Sequence, residues 1–139
     1  MFKVKIIAIG RSKEAWLSAA LAEYEKRLKG RLEIEWLLAE DNGALAAYCR
    51  KEPLLIALDI KGDLISSEAF SEKWMRLGTR AAFAIGGPDG LSADILKLAH
   101  WRWSLSPLTF TNQMARLLLV EQLYRALEIE RGSPYHKGS

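Results

Sequence analysis

Two short runs of apolar residues, Leu54–Leu58 and Ala81–Ile85, constrain the fold of this chain more than any other feature. Neither run contains a polar residue. Uninterrupted apolar runs of this length are typical of strands that are covered on both faces, as in a parallel sheet with helices on either side. The chain is therefore predicted to be built around a buried and mostly parallel sheet.

Segments with strand and helix patterns alternate along all 139 residues, without a repeat, a low-complexity tract or a linker. The predicted strands are Phe2–Ile9, Leu32–Leu38, Leu54–Ile60, Arg80–Ile85 and Trp101–Leu105. The first predicted helix begins after Ser12, which would be its N-cap, and runs to about Leu28. The other predicted helices are Ala44–Lys51, Ser67–Leu77, Ser92–His100 and Gln113–Glu130, and Lys61–Asp63 is predicted to be a turn. This alternation predicts one α/β domain, residues 1–139, with a mostly parallel sheet flanked by helices.

The first and last helices have different apolar patterns. The first has one apolar side, which includes Trp16, Leu21 and Tyr24, and this side is expected to pack on the core. The last is apolar on nearly every side over Met114–Val120 and continues so to Leu127. A chain this short has little material to surround such a helix, so we expect a homodimer in which a partner covers the second face. The alternative is a central helix within a monomer.

Composition excludes several other kinds of protein. No apolar stretch approaches the roughly 20 residues of a membrane-spanning helix, and the N-terminus lacks a signal-peptide pattern, so a cytoplasmic protein with no membrane partner is expected. The single cysteine, Cys49, cannot form an internal disulfide and is expected to be a small buried side chain. His100 and His136 lie far apart, and no Cys/His pair has metal-ligand spacing, so no metal site is predicted.

The charge pattern is compatible with a nucleic-acid partner. The net charge is +3, and basic groups gather toward the C-terminal end at Arg125, Arg131, His136 and Lys137. Such groups can contact phosphate, although on charge alone a solvated surface is the simpler interpretation.

A glycine-rich segment, Ile85–Ser92, stands between a predicted strand and a helix that Ser92 can cap. Ligands of open α/β sheets bind beyond the carboxyl ends of the strands, and glycine lets backbone approach a ligand closely. The segment lacks the lysine and hydroxyl of a P-loop and the spacing of a dinucleotide-binding fingerprint. A ligand loop and a tight structural turn are both compatible with the spacing.

Two further segments can bear chemistry. Leu105–Asn112 is an irregular loop whose backbone groups can bond a nucleobase edge, or it can simply cap the last helix through Thr111 or Asn112. The tail Gly132–Lys137 combines an aromatic ring, an imidazole and a cation, which can stack on a base, exchange a proton and hold a phosphate. The alternative for the tail is a frayed chain end.

Several motifs in one order carry a resemblance to a known family. They are IGGPDGLS (85–92), WSLSPLTF (103–110), Arg116, VEQLYRA (120–126) and PYHK (134–137), together with FKVKIIAIG (2–10), AEYEKRL (22–28) and LDIKG (58–62). In these the chain resembles the SPOUT-class (α/β-knot) methyltransferases that modify N3 of a pseudouridine in the 23S RNA of the large ribosomal subunit. The similarity runs nearly end to end.

The resemblance implies a fold, a cofactor and a set of partners. The fold is an α/β domain with a deep C-terminal trefoil knot, the cofactor is S-adenosylmethionine, and the partners are a second copy of the chain and large-subunit RNA or the whole ribosome. The implied cofactor contacts are Leu58, Gly86, Gly87, Leu105, Ser106, Pro107, Leu108, Thr109 and Phe110.

The resemblance also suggests roles for the remaining residues. His136 is expected to take the N3 proton or to position the base edge, Tyr135 to orient or stack on the target, and Lys137 and Arg125 to contact RNA. Arg116 is expected to act in the active site, by contacting RNA or by anchoring the tail. Relatives commonly carry Pro-His where this chain has Thr111–Asn112, and the segment from Glu40 to Arg50 is shorter than usual.

Two other functions remain open on the sequence. One is a noncatalytic RNA-binding dimer of the same fold, for which Thr111–Asn112 would mark the lost activity. The other is a SPOUT methyltransferase that acts on a different RNA, such as transfer RNA. Cofactor binding separates the first from an enzyme, and the identity of the methylated RNA separates the second.

Overall fold

The computed structural model describes residues 1–78 and 80–137, and the strands and helices alternate within them. The elements are β1 (Phe2–Ile9), α1 (Ala15–Leu28), β2 (Leu32–Ala39), α2 (Asn42–Arg50), β3 (Leu55–Leu64), α3 (Ser67–Leu77), β4 (Arg80–Ala84), α4 (Ala93–Leu98), β5 (Trp101–Ser104) and α5 (Asn112–Glu130). Each predicted strand and helix is confirmed, with small differences in its bounds. None of the helices within the described residues combines the length and the apolar composition that a membrane span requires.

The five strands form one sheet in the order β2-β1-β4-β3-β5. All four strand pairings are parallel, so the sheet is more uniform than the mostly parallel one expected. Neighbouring residues on β1, Ile6 and Ile7, point to opposite faces and are both 0% exposed. Ile56 and Ala57 on β3 are equally buried. Burial on both faces is what the apolar runs predicted.

Helices cover the two faces of the sheet in separate layers. On one face, α1, α3 and α5 bring Leu17, Phe70 and Leu123 onto the sheet. On the other, α2 and α4 bring Cys49 and Ile95. Burial raises the pKa of the Cys49 thiol to about 11, so this cysteine is an inert core side chain, as expected.

Two expectations for the first helix were wrong. Ser12 does not cap α1, because the helix begins two residues later and its N-cap residue, Glu14, makes no side-chain capping bond. Instead the Ser12 hydroxyl accepts a hydrogen bond from Arg116 of α5 at 3.3 Å. The buried stripe runs through Leu17 and Leu21, whereas Trp16 is 50% exposed, because adjacent helix positions differ by about 100° in direction.

The predicted turn at Lys61–Asp63 was also wrong. β3 continues to Leu64, and its register against β5 shifts between Leu58 and Asp63. A Cβ on Gly62 would lie 2.6 Å from the carbonyl carbon of Arg102. Gly62 is therefore needed for close approach of two strands beside an irregularity, and not for a change of chain direction.

Other elements of the same chain cover more of the surface of α5 than the sequence suggested. α5 packs against both α1 and α3, and residues such as Val120, Tyr124, Ala126 and Glu128 are all buried although they point in different directions. Part of the two-faced pattern is thus explained within a monomer. A strip that includes Met114, which is 36% exposed, stays accessible.

A buried carboxylate near the end of α5 joins three parts of the chain. Glu128 is 3% exposed. It pairs with Arg31 at 2.7 Å and with Arg131 at 2.7 Å, and it accepts a hydrogen bond from Ser133 at 3.1 Å. Burial alone raises the pKa of Glu128, but the bonds from Arg131 and Arg31 outweigh that effect and lower the pKa to about 2.

We expect Glu128→Gln to lower the free energy of unfolding by about 1–3 kcal/mol at pH 7, because charged hydrogen bonds are lost from a buried site. The folded pKa lies below the ordinary value of 4.5. The contribution of Glu128 is therefore present above pH 4.5 and disappears as the pH falls toward 2. Urea unfolding at pH 7 and at pH 3 should show the two chains converging at low pH. Glu23→Gln, which removes an exposed pair, is the control. If Glu128→Gln and Glu23→Gln lowered the free energy of unfolding by the same amount at pH 7, the result would contradict this role of Glu128.

Candidate active site

A cleft opens at the carboxyl ends of β3, β4 and β5. Its volume is about 1040 Å³, at the upper end of the roughly 300–1,000 Å³ typical of small-molecule sites. Parallel strands end at the same edge of a sheet, so the segments that follow them meet there. Three segments form most of the wall, namely 58–61, 85–91 and 102–112 without Pro107.

The glycine segment folds back on itself at the floor of the cleft. The Gly90 amide donates to the Gly87 carbonyl at 2.9 Å, and Gly90 has a φ of +75°. A Cβ on Gly86 would lie 2.5 Å from the carbonyl carbon of Gly90 and 2.7 Å from the Leu91 nitrogen. The packing of the loop itself therefore requires glycine at position 86, whether or not a ligand lies close to it. The sequence alone could not distinguish a ligand loop from a tight structural turn.

The segment after β5 is held by its own hydroxyls. Ser104 donates to the Ser106 carbonyl at 3.0 Å, and the Ser106 hydroxyl accepts from the Leu108 amide at 2.9 Å. Eight of the nine residues that the resemblance assigned to the cofactor line the cleft, and Pro107 is not among the lining residues. The next residues start α5, where Thr111 is the N-cap and accepts from the Met114 amide at 3.1 Å.

Several lining residues were not foreseen from the sequence. Asp59, Ile60 and Lys61 come from the irregular part of β3, and Arg102 comes from β5. The signal for the first three was present, because polar residues interrupt an apolar strand where it reaches the sheet edge. Asn112, read as a possible cap, also lines the cleft.

The residues of the cleft fit S-adenosylmethionine. An adenosine needs apolar walls and backbone groups for its polar edge. Leu58, Ile85 and Leu105 supply apolar surface, and the two loops supply backbone. Within residues 1–78 and 80–137, no group of three His, Cys, Asp or Glu side chains could hold a metal ion.

Arg116 lies beneath the cleft and is 0% exposed. Its guanidinium donates to the Ile9 carbonyl at 2.7 Å, to the Gly10 carbonyl at 2.9 Å and to the Asn112 side chain at 2.9 Å. Burial lowers its pKa from the ordinary value, but an arginine remains charged. A side chain enclosed in this way is not placed to contact RNA or the tail, so a supporting role fits it better than the catalytic one expected.

The tail packs along the accessible side of α5. The Tyr135 hydroxyl donates to Glu121 at 2.8 Å, Arg125 pairs with the same carboxylate at 3.0 Å, and the guanidinium of Arg125 stands 4.8 Å from the centre of the Tyr135 ring. Burial, and then the bond to Glu121, raise the pKa of Tyr135. The phenol therefore stays protonated and can orient a partner, but it is not a base.

The hydrogen-bond partners of His136 determine which of its two ring nitrogens carries the proton. Its Nδ1 lies 2.9 Å from Arg125 Nη1, and because a guanidinium can only donate, Nδ1 must accept. The neutral ring then carries its proton on Nε2, which faces Glu68 at 3.3 Å. The Glu68 carboxylate can accept a hydrogen bond from this N–H.

The cleft and the tail lie apart along α5 of one chain. None of residues 133–137 is among those that line the cleft. Ala115 lines it, whereas Glu121 and Arg125, which hold the tail, are six and ten residues further on, or about 9 and 15 Å along a helix. The predicted catalytic tail and the predicted cofactor loops therefore do not meet within one chain.

Comparison with known sequences gives matches over nearly the whole chain. Residues 2–136 match the family model described as "Predicted SPOUT methyltransferase". A protein of Protochlamydia amoebophila named ribosomal RNA large subunit methyltransferase H is 48% identical over 141 residues, which cover 99% of this chain and 100% of the relative. A protein of the same name from Synechococcus is 42% identical, with 97% and 96% covered.

Solved structures with much lower identity share the fold. A methylase family protein from Haemophilus influenzae superposes with a TM-score of 0.62 at 13% identity, over 94% of this chain and 69% of that one. A methyltransferase from Legionella pneumophila, solved with bound SAM, gives a TM-score of 0.53 at 15% identity, over 90% and 66%. At such identities the likeness concerns the fold alone.

Proposed function

Because the chain belongs to the SPOUT methyltransferase family, we propose that it transfers a methyl group from S-adenosylmethionine to N3 of a pseudouridine in 23S ribosomal RNA. The names of its full-length relatives support large-subunit RNA as the substrate. The observation that carries the proposal is the cleft at the carboxyl ends of β3, β4 and β5, since it gathers the loops that the resemblance assigned to the cofactor.

The cofactor is proposed to lie in this cleft. Leu58 and the 105–110 loop would enclose the adenosine, and Gly86 and Gly87 would support it from the glycine loop. When bound, S-adenosylmethionine supplies a methyl group that its sulfonium already activates. The residues of the chain then contribute mainly the alignment of the two reactants. The deep C-terminal trefoil knot stays a prediction.

The N3 atom must lose its proton as it accepts the methyl group, and His136 is proposed to help. In the described arrangement its Nε2 carries a proton toward Glu68. That contact is on the surface, with Glu68 63% exposed, so it is weak and easily exchanged. The lone pair of the neutral ring is on Nδ1, where Arg125 occupies it. Release of Nδ1 from Arg125 would free it to accept the proton from N3, and the resulting imidazolium would face the Glu68 carboxylate.

Three neighbours of His136 are proposed to hold the RNA. Tyr135 presents a ring that can stack on or orient the target base. Lys137 is exposed and would contact phosphate. Arg125 is partly neutralised by Glu121, so its contribution to RNA binding would be smaller than that of a lone cation. Action on ribosomes would place the protein in the cytoplasm.

The separation of tail and cleft favours a homodimer in which the tail of one chain completes the cleft of the other. Two apolar side chains, Met114 at the start of α5 and Leu108 in the loop before it, are exposed, Leu108 by 69%. They are proposed as part of the dimer surface. A second copy on this surface would bring its own α5 and tail against the cleft. The wide burial of α5 within one chain leaves a monomer as the competing state.

A titration with S-adenosylmethionine tests the enzyme against the noncatalytic RNA-binding dimer. Calorimetry on the purified protein should show saturable binding, with competition by S-adenosylhomocysteine, because both compounds carry the adenosine that is proposed to lie in the cleft. A dimer that binds RNA but neither of these compounds would support the noncatalytic alternative and remove the proposed reaction.

A further inference from the structure

One side chain connects the glycine loop to the rest of the fold. The Asn112 amide nitrogen donates to the Gly86 carbonyl at 2.9 Å, and the Asn112 oxygen accepts from Arg116 Nε at 2.9 Å. Gly86 begins the loop at the floor of the cleft, whereas Asn112 and Arg116 lie on the first turns of α5. The bond to Gly86 thus ties together two walls of the cleft that are 26 residues apart in the chain.

Chemistry fixes the orientation of the Asn112 amide. Oxygen and nitrogen of an amide look alike in shape, but Arg116 Nε can only donate a hydrogen bond. The atom facing it must therefore be the oxygen. The nitrogen then faces Gly86, whose carbonyl can only accept. Asn112 therefore connects Arg116 to the glycine loop through two hydrogen bonds whose donors and acceptors are defined.

The side chain of Arg116 is held firmly enough to fix the position of Asn112. Its guanidinium is fully buried, and its hydrogen bonds run to the Ile9 and Gly10 carbonyls at the end of β1 and to the hydroxyl of Ser12. All of these acceptors are neutral. A planar group with several engaged donors has little freedom to turn, so it fixes Asn112 relative to the sheet.

Helix capping does not explain the side chain of Asn112. Thr111 is the N-cap of α5 and already accepts from the Met114 amide. The Asn112 side chain makes neither of its bonds to the backbone of α5, since one partner is the Gly86 carbonyl and the other is the side chain of Arg116. What it stabilises is the position of the glycine loop.

We infer that Asn112 and Arg116 are positioning residues, which hold the glycine loop at Gly86 in the conformation that accepts the cofactor. The inference rests on the proposed function for the identity of that cofactor, and on the contacts alone for the effect on the loop. Thr111–Asn112 then does not mark a lost activity. Asn112 keeps a connection between α5 and the loop that needs no titrating group.

Asn112→Asp separates this role from a general contribution to folding. The carboxylate can still accept from Arg116, and its negative charge suits the buried guanidinium and the start of a helix. It cannot donate to the Gly86 carbonyl, so two acceptors would face each other at about hydrogen-bond distance. We expect unchanged or higher thermal stability, at least tenfold weaker binding of S-adenosylmethionine, and a higher KM for it at a nearly unchanged kcat.

Amide hydrogen exchange provides the readout that needs no cofactor. In Asn112→Asp, residues 86–91 should exchange faster, while α3 exchanges as in the unmodified chain. Ser71→Ala is the control, because it removes a buried hydrogen bond between α3 and the Ala126 carbonyl of α5, away from the cleft. It should lower stability without changing exchange in residues 86–91 or cofactor affinity.

The outcomes distinguish this inference from the proposed function. Unchanged exchange in residues 86–91 of a folded Asn112→Asp chain would overturn the positioning role. Faster exchange with unchanged affinity would overturn its link to the cofactor. Faster exchange in a protein whose unmodified form binds no S-adenosylmethionine would keep the positioning of the loop and reject the proposed function.

Discussion

Gly86→Ala is expected to weaken cofactor binding strongly, because the added methyl group would clash with backbone atoms of the glycine loop. Its Cβ would lie 2.5 Å from the carbonyl carbon of Gly90 and 2.7 Å from the nitrogen of Leu91. Both are backbone atoms, so relief requires the whole 86–91 loop to move. Overpacking of this kind costs about 1–3 kcal/mol. If the loop opens instead, the affinity for S-adenosylmethionine should fall at least about tenfold, which corresponds to 1.4 kcal/mol.

Gly87→Ala is the matched comparison for the fold. A Cβ at this position would meet only Ile9 Cδ1 at 3.5 Å, an ordinary contact. Thermal unfolding should show a loss of stability for Gly86→Ala and little change for Gly87→Ala, and calorimetry should show the weaker binding in the first. A Gly86→Ala protein that is as stable as the unmodified chain and binds the cofactor equally well would contradict the description of the loop.

His136→Ala is expected to reduce methyl transfer by about 10²–10⁴-fold, the range of a general acid or base. His136 is proposed to act on N3 of the RNA base and is not among the residues proposed to hold the cofactor, so the affinity for S-adenosylmethionine should stay the same. Single-turnover rates with labelled cofactor and calorimetry measure the two effects separately. His100→Ala, which removes the other histidine, is the control. A His136→Ala protein with full activity would exclude the tail from the reaction.

Mixing two chains that are impaired in different parts of the site tests whether the tail acts across a dimer. His136→Ala keeps a cofactor cleft, and Gly86→Ala keeps a tail. After unfolding and refolding together in equal amounts, random pairing would make half of the dimers mixed, and one of the two sites in each would be intact. About a quarter of the activity of the unmodified protein should return. No recovery, in a mixture shown to contain mixed dimers, would mean that each tail serves its own cleft.

The sequence was sufficient to predict the layers of the fold, because the patterns are local. Apolar runs such as Ala81–Ile85 identify strands buried on both faces without knowledge of their neighbours. Pairings between distant segments could not be read in this way. Gly62 looked like a turn because its steric constraint comes from the backbone of Arg102, and Ser12 looked like a cap because its real partner, Arg116, is 104 residues away.

The site was predictable to a different degree in each of its parts. The cofactor loops follow strands of a parallel sheet, so their convergence could be expected, and the cleft between them agrees. The burial of Arg116 was not predicted, because it depends on packing between α5 and the end of β1. The relation of the tail to the cleft could not be predicted either, since it depends on the arrangement of a second chain.

The most direct test of the central claim is to find where the methyl group goes. The purified protein would be incubated with labelled S-adenosylmethionine and either ribosomes or free RNA from cells that lack the modification, and the label would be mapped by mass spectrometry. The account predicts one methyl group on N3 of one pseudouridine in 23S ribosomal RNA. Label on transfer RNA or on another atom, or no methylated RNA although the cofactor binds, would contradict it.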